Sequence, residues 1–538
     1  MNENNEANFN SAAVTTLPPP VPQNKAGKSK LLIGVAAVCA IAAVAAVVKF
    51  SSTPDPKATV EAAFTATAKQ QQAVTDKIYQ KVPAAKLMFE GREGATTSDF
   101  DLTIKSIEDN PYAAFANVIL QDAGIRGKFS NDPAQKTSAF NTSVYLKDAP
   151  MIDVSAFMSP ELIVASVPTF SQTNVSMNPT TFAKDYAGSA LNAVYPVDGP
   201  SLEMMQGVIT GQIDYINAIS SISSEKMLAD IMPIFKGALT NATYTYDKQS
   251  KKYVVNIPGE DLKTTVVNYY RYIYFDSELG VAMEKMMSPT ASALTPDLSY
   301  EDMMNETISS IEESLPDMDA KLALDIKNGL IKSANLVCTP VAPAASSSSP
   351  ESAVSPEITV SSLVFDCTFD DAVNTAKLVI TTEDAMSMTV DATATLSNDT
   401  YALDMAVGVD SSSVTFNMPL NISIAAGGAY NCAADMNIEA GGEPINAGFA
   451  FNGTAVLEND VLTVSLPESR VYVSATDAAT GTLVFDLDYA NAPLTEALTA
   501  PESTSLFALD AQQLEQLSNE YSVGYESLVG QLYSLLMG

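Results

Sequence analysis

Asp99 with Asp101 and Asp486 with Asp488 stand in pairs two residues apart, and Asp370 adjoins Asp371. Residues at i and i+2 of a strand share a face, so such carboxylates can converge for acid–base chemistry or around a Ca2+ ion. Asp99, Asp101, Asp486 and Asp488 also alternate with apolar neighbours, as solvated residues on the outer face of a sheet do. That plainer reading carries more weight. The 538 residues contain no histidine, which removes Ser-His-Asp and Cys-His catalysis, His-ligated metals and imidazole pH switches. No Asp-rich twelve-residue calcium loop and no glycine-rich nucleotide or nucleophile motif stands out. The sequence therefore assigns no catalytic residue, no cofactor and no metal, and an enzyme is not expected.

Cys338, Cys367 and Cys432 are too few and too scattered for a disulfide framework or a CxxC metal site. Cys338 and Cys367 end two expected strands and are the pair best placed to meet, with buried free thiols as the alternative. Tyr269, Tyr270, Tyr272, Tyr274 and Phe275 cluster in a chain with 8% aromatic residues. Together with flexible methionines they offer a candidate wall for an apolar ligand: Met204, Met205, Met227, Tyr269, Tyr270, Ile273 and Met283. Ordinary packing between helices and sheet would use the same residues.

The formal net charge is −34 and the pI about 4.2, which argues against nucleic acid, whose phosphates need a basic footprint. Residues 31–48 run from Leu31 to Val48 without a charged side chain, roughly 27 Å as a helix and close to the hydrocarbon thickness of a bilayer. Lys25, Lys28 and Lys30 precede it, which predicts a single-pass cell-membrane protein with a cytoplasmic N-terminus and a large extracytoplasmic remainder. A cleaved signal peptide ending near Ala40-Ile41-Ala42 is the alternative.

These features must be carried by an α+β fold of large antiparallel sheets with packed helices. Residues 1–30 read as a disordered cytoplasmic tail, 31–50 as a transmembrane helix and 58–340 as an α+β half. Residues 341–357 form a flexible Ser/Pro/Ala segment, 358–500 a β-rich half and 505–538 a C-terminal amphipathic helix. Val60, Phe64, Val74, Ile78 and Val82 are spaced for a helix rising from the membrane and stopped by Pro83. Asn328-Gly329 between alternating runs predicts a tight hairpin. Met386 to Leu396 and Tyr401 to Val409 predict another. Asp510 with Gln513 reads as a capping box.

Phe100 to Ile107, Phe140 to Pro168, Tyr253 to Ile273 and Leu322 to Cys338 give strands, helices and a return to antiparallel strands. That order resembles the LolA and LppX type of envelope lipid-binding half-barrel, which implies a curved sheet around apolar helices and a lipid-sized cavity. The chain also resembles membrane-tethered surface proteins of Gram-positive bacteria, which implies location alone. The expected function is a non-catalytic, membrane-anchored binding protein for an apolar ligand, a lipid or an envelope protein. The alternatives are a structural or sensory surface protein and a hydrolase built on paired carboxylates.

Overall fold

A computed structural model describes residues 55–537 apart from 222–223, 295–298, 316–317, 341–359, 371, 383–385, 398, 412–413, 441–442 and 476–479. The expected transmembrane run and the 341–357 segment lie outside the described residues. Helix α1 (Pro56–Lys81) starts on an Asp55 cap with Pro56 in its first turn, and α2 (Pro83–Glu90) follows at once. Next come β1 (Thr96–Glu108), the short α3 (Ala113–Leu120), β2 (Ala123–Asp132), β3 (Thr137–Leu146), β4 (Ala149–Met158), β5 (Ile163–Ser166) and β6 (Val175–Met177). A helical excursion comprises α4 (Phe182–Ala187), α5 (Ala190–Val194), α6 (Gly199–Ser221) and α7 (Ser224–Ala238). After the hairpin β7 (Thr243–Asp247) and β8 (Lys252–Ile257) come α8 (Gly259–Arg271), a π turn at Tyr272–Asp276, α9 (Glu278–Leu294) and α10 (Tyr300–Ser314). The long meander follows: β9 (Met318–Lys327), β10 (Leu330–Pro340), β11 (Val360–Thr368), β12 (Val373–Thr382), β13 (Ser387–Ser397) and β14 (Thr400–Asp410). It continues through β15 (Val414–Ala425), β16 (Ala429–Ala440), β17 (Glu443–Glu458), β18 (Val461–Ala475) and β19 (Gly481–Pro493). The two-residue β20 (Thr504–Ser505) and α11 (Ala511–Met537) end the described chain.

The 20 strands of the described residues all belong to one sheet. Strands β7 to β19 pair in sequence order, each antiparallel to the next. The last of them then pairs with β1, so β1 to β6 extend the same sheet from its far side, and β20 joins β6 in parallel. Local turn chemistry sets much of this. Asn328 and Gly329 both have positive φ, 54° and 75°, as a two-residue hairpin with the right twist needs, and they join Lys327 to Leu330.

Because side chains alternate, the registers generate one apolar face. Val255, Leu322, Leu336, Phe365, Leu378 and Val390 face one another across consecutive strands from β8 to β13. Helix α1 lies on the β8–β10 part, with Val60, Ala63 and Phe64 packed against Val255, Leu322, Leu324 and Ile331. It therefore does not rise free of the body, as a stalk would, because its apolar stripe is consumed by the sheet. Helices α8 and α10 add Leu262, Val266, Ile311 and Leu315 to the same core. Further along the sheet α2 seats Val82, Ala84 and Ala85 on Ile424, Leu462, Val464 and Leu466.

Thr67, buried in α1, accepts the Ile331 N–H at 2.8 Å where the β9–β10 register shifts. Replacing it with isosteric valine strands that buried donor, so Thr67→Val should lower unfolding free energy by about 1–3 kcal/mol in urea titration. A change within experimental scatter would show that water reaches the Ile331 amide.

Among the described residues no helix is long and apolar enough to cross a membrane. Cys338 and Cys367 are free thiols. The register sets Cys338 opposite Leu363 and Cys367 opposite Ala334, four positions along the ladder, roughly 13 Å at the strand rise and beyond disulfide reach. The two ends that the sequence brought together are thus out of step within one strand pair. The capping box is present: Gln513 N–H donates to Asp510 Oδ1 and Asp510 N–H to Gln513 Oε1, each at 2.9 Å.

Candidate functional site

The apolar face is covered unequally. Strands β13 and β14 lie in the interior of the sheet with full ladders on both sides, yet Met388, Val390, Leu403, Met405 and Val407 are only part-buried. Missing sheet neighbours cannot explain that exposure. The cover thins there: Met388 and Val390 pack at the edge of the core that holds Leu322, Leu324 and Leu363 under the helices, while Leu403, Met405 and Val407 lie beyond it.

The end of α1, helix α2 and the loop after it cover one end of this stretch. Lys81 pairs with Asp399 in the β13–β14 turn, the Phe89 and Tyr401 rings meet edge to face at 5.7 Å, and Arg92 reaches Asp460 in the β17–β18 turn at 2.8 Å. At the opposite strand ends Val414, Ile445, Val471 and Val473 are exposed. The arrangement is an apolar trough closed at one end by helix and open at the other.

The seven residues expected to wall an apolar site lie elsewhere. Tyr269 stacks on Phe235 at 6.0 Å, Tyr270 meets Tyr269 edge to face and stacks on Tyr274, and Ile273 packs with Ile231 and Tyr272. Burial raises the Tyr269, Tyr270 and Tyr274 hydroxyls above their usual range, Tyr270 to about 12. Tyr269 and Ile273, both part-buried, thus pack on Ile231, Phe235 and Tyr272, while part-buried Tyr270 packs against the main core of the sheet. Met205 and Met227 are exposed, while Met204 and Met283 are part-buried on α6 and α9. A cavity of about 190 Å³ between α1, α7 and β7–β9 is lined by Val60, Phe64, Leu239, Tyr244, Val255 and Leu322, and by none of the seven. That volume is below the roughly 300–1,000 Å³ of ordinary ligand pockets.

The other face of the sheet carries a groove of about 710 Å³ across β18, β19 and β1–β4, its walls largely apolar and set among polar and charged side chains. Here the structure unites carboxylates that the sequence showed only as separate pairs, since Asp101 lies opposite Asp488 on one side and Arg126 on the other. Asp101 accepts the Tyr145 hydroxyl at 2.6 Å, Thr103 joins it at 2.5 Å, and Arg126 lies 5.2 Å over the Tyr145 ring. Burial, then the bond to Asp101, holds the Tyr145 hydroxyl above its usual pKa. Asp488 accepts from Ser465 at 2.6 Å. Beside the groove, burial works against ionised Asp486, but the Glu468 N–H and the Lys105 ammonium at 2.9 Å outweigh it and hold the pKa below the ordinary value. Asp101, Asp486 and Asp488 thus lace strands together, and among the described residues no group of three acidic or cysteine side chains could hold a metal ion.

No family model matches the chain, and no curated protein does. Among solved structures it is similar to Wzi of Escherichia coli, an outer membrane carbohydrate-binding β-barrel involved in group 1 capsule assembly. Identity is 6% with a TM-score of 0.22, over 86% of this chain and 98% of that one. A loop-deleted OmpT of Vibrio cholerae follows at 8% identity and a TM-score of 0.19, covering 74% of this chain and 100% of that one. OpdK of Pseudomonas aeruginosa gives 5% identity and a TM-score of 0.13, over 74% and 98%. Scores this low establish no shared fold. The expectation of a single-pass cell-membrane protein with an extracytoplasmic remainder is corrected to this extent: among the described residues no helix is long and apolar enough to span a bilayer, and residues 31–48, which carried that expectation, lie outside them.

Proposed function

We propose that the chain is a non-catalytic binding protein that takes an apolar, chain-like ligand on the uncovered stretch of its sheet, β13 to β18. The observation that carries this reading is the part-burial of Leu403, Met405 and Val407 in the interior of a fully paired sheet, beyond the core against which Met388 and Val390 pack. A row of such residues left in water costs roughly 25 cal/mol for each Å² that a ligand would cover, so an acyl chain laid along it gains free energy with no hydrogen bond required. The neighbouring helices make the trough one-ended, which suits an elongated ligand better than a globular partner. The carboxylates of the groove on the other face are engaged with Tyr145, Ser465 and Lys105, which disfavours the hydrolase alternative.

A fluorescent fatty acid titrated into the protein tests the reading. Met405→Asp places a carboxylate in the middle of the trough, where desolvation opposes it, and should weaken binding by at least about tenfold, equivalent to 1.4 kcal/mol. Asp404→Asn on the opposite face of the same strand should leave binding unchanged. No binding by the wild type, or equal binding by both variants, would remove the proposal.

A further inference from the structure

Helix α3 (Ala113–Leu120) stands at the open end of the trough. Its sequence, AAFANVIL, has no charged residue and none of its residues is buried. Tyr112 beside it and Phe115, Val118 and Leu120 on it are exposed, Phe115 at 70%. This exposure is built rather than frayed. Pairing of β1 with β2 stops at Thr103 and Gly124, and beyond that point Asn117 takes over the ladder, accepting the Ile107 N–H at 2.6 Å and donating to the Ile107 carbonyl at 2.9 Å. On the entry side Asn110 donates to the Thr480 carbonyl at 3.0 Å and Thr482 donates to Asp109 at 3.2 Å. On the exit side the Asp122 N–H donates to the Ile104 carbonyl at 2.8 Å. A greasy helix is therefore held rigidly in water, beside the strand ends that expose Val471 and Val473.

The chemistry around α3 selects the occupant. Its amide side chain is already spent on Ile107, so the outward surface offers almost no hydrogen bonds, whereas protein interfaces use about one per 100–200 Å². A bilayer asks for none. Around the helix stand Glu108, Asp109 and Asp122; the nearby cations Arg470 and Lys105 are paired with Glu108 and Asp486, and exposed Lys147, whose N–H donates to the Asp122 carbonyl at 3.0 Å, is followed directly by exposed Asp148, so the carboxylates outnumber the cations. That setting repels anionic headgroups and tolerates zwitterionic ones. We infer that the open end of the trough docks on a neutral lipid surface, with α3 in the headgroup layer and Phe115, Val118 and Leu120 among the acyl chains. The inference rests on the apolar-ligand reading, since docking there would align the trough's mouth with the source of its ligand.

The chain has no tryptophan, so Phe115→Trp in the full-length protein supplies a single fluorophore that reports burial at that point alone. Tyr525→Trp, at an equally open position on α11, is the control. With phosphatidylcholine vesicles the fluorophore at position 115 should shift to the blue and be quenched by acyl-brominated lipid, while that at 525 should do neither. Adding phosphatidylglycerol should weaken the shift at low salt, and raising salt should restore it. Hydrogen exchange of residues 112–120 in the unsubstituted protein should slow with the same vesicles. Absence of both signals while the fatty-acid probe still binds overturns the docking and leaves the apolar-ligand reading standing. A shift at 115 without fatty-acid binding supports the docking and removes that reading. Equal shifts at 115 and 525 overturn the docking.

Discussion

Gly453→Ala should be among the most destabilising single-methyl changes in the protein, lowering unfolding free energy by about 3 kcal/mol, the upper part of the range for overpacking. A Cβ at this position in β17 would stand 1.9 Å from the Ser465 carbonyl oxygen, 2.9 Å from its carbon and 3.0 Å from Leu466 Cα. All three are main-chain atoms, so no side chain can turn aside. The β17–β18 register shifts between Ala450 and Thr454, and β18 can approach so closely only because Gly453 has no side chain. The strain would fall on Leu462, Val464 and Leu466, the seat of α2, and so on the closed end of the trough. Gly530→Ala is the contrast: nothing lies within 4 Å of its Cβ position, and in an exposed part of α11 the exchange should stabilise by up to about 1 kcal/mol. Urea unfolding of the two variants checks both signs. A loss below about 0.5 kcal/mol at Gly453, the level of an ordinary surface exchange, would mean that the strands can part there without cost.

Elements governed by local chemistry were legible in the sequence. Asn328-Gly329, the alternation of β13 and β14 and the Asp510–Gln513 capping box each carry their signal within a dozen residues, and each stands where that signal puts it. Strand β2 was not legible, because Gly124, Arg126, Gly127 and Lys128 break the apolar alternation. Gly127 is in fact required, since a Cβ there would meet the Asn141 carbonyl at 2.5 Å. Strand β16 does alternate Tyr430, Cys432, Ala434, Met436 and Ile438 with polar residues and Ala433, but its small side chains give a weak signal. The pairing of β19 with β1 spans nearly 400 residues, and no local pattern specifies such closure. The trough was missed for a related reason: alternation shows that a face is apolar but not whether a layer covers it. Helix α3 did carry a signal, an uncharged AAFANVIL between two strands, whose meaning depends on Asn117 holding it in the open.

Leu324→Ala and Leu403→Ala apply the same chemistry to two parts of one apolar face and should differ several-fold in effect. Leu324 is 0% exposed beneath the helices, within the cluster that holds Phe64, Val255 and Ile331. Its truncation removes buried methyl groups and leaves a cavity that flanking strands cannot close, so the loss should be about 3–4 kcal/mol. Leu403 faces Ala394 and Ile422 across its ladders and is only part-buried. Its side chain already meets water, no cavity forms, and the loss should be about 1 kcal/mol. Losses of similar size at both positions would mean that another element covers β14, and the trough would not exist. With a saturating fatty acid the order should change at Leu403 alone. Ligand bound only to the folded state adds stability according to its affinity, so Leu403→Ala should lose part of that added stability. Leu324→Ala, remote from the trough and measured under conditions where it remains folded, should retain it.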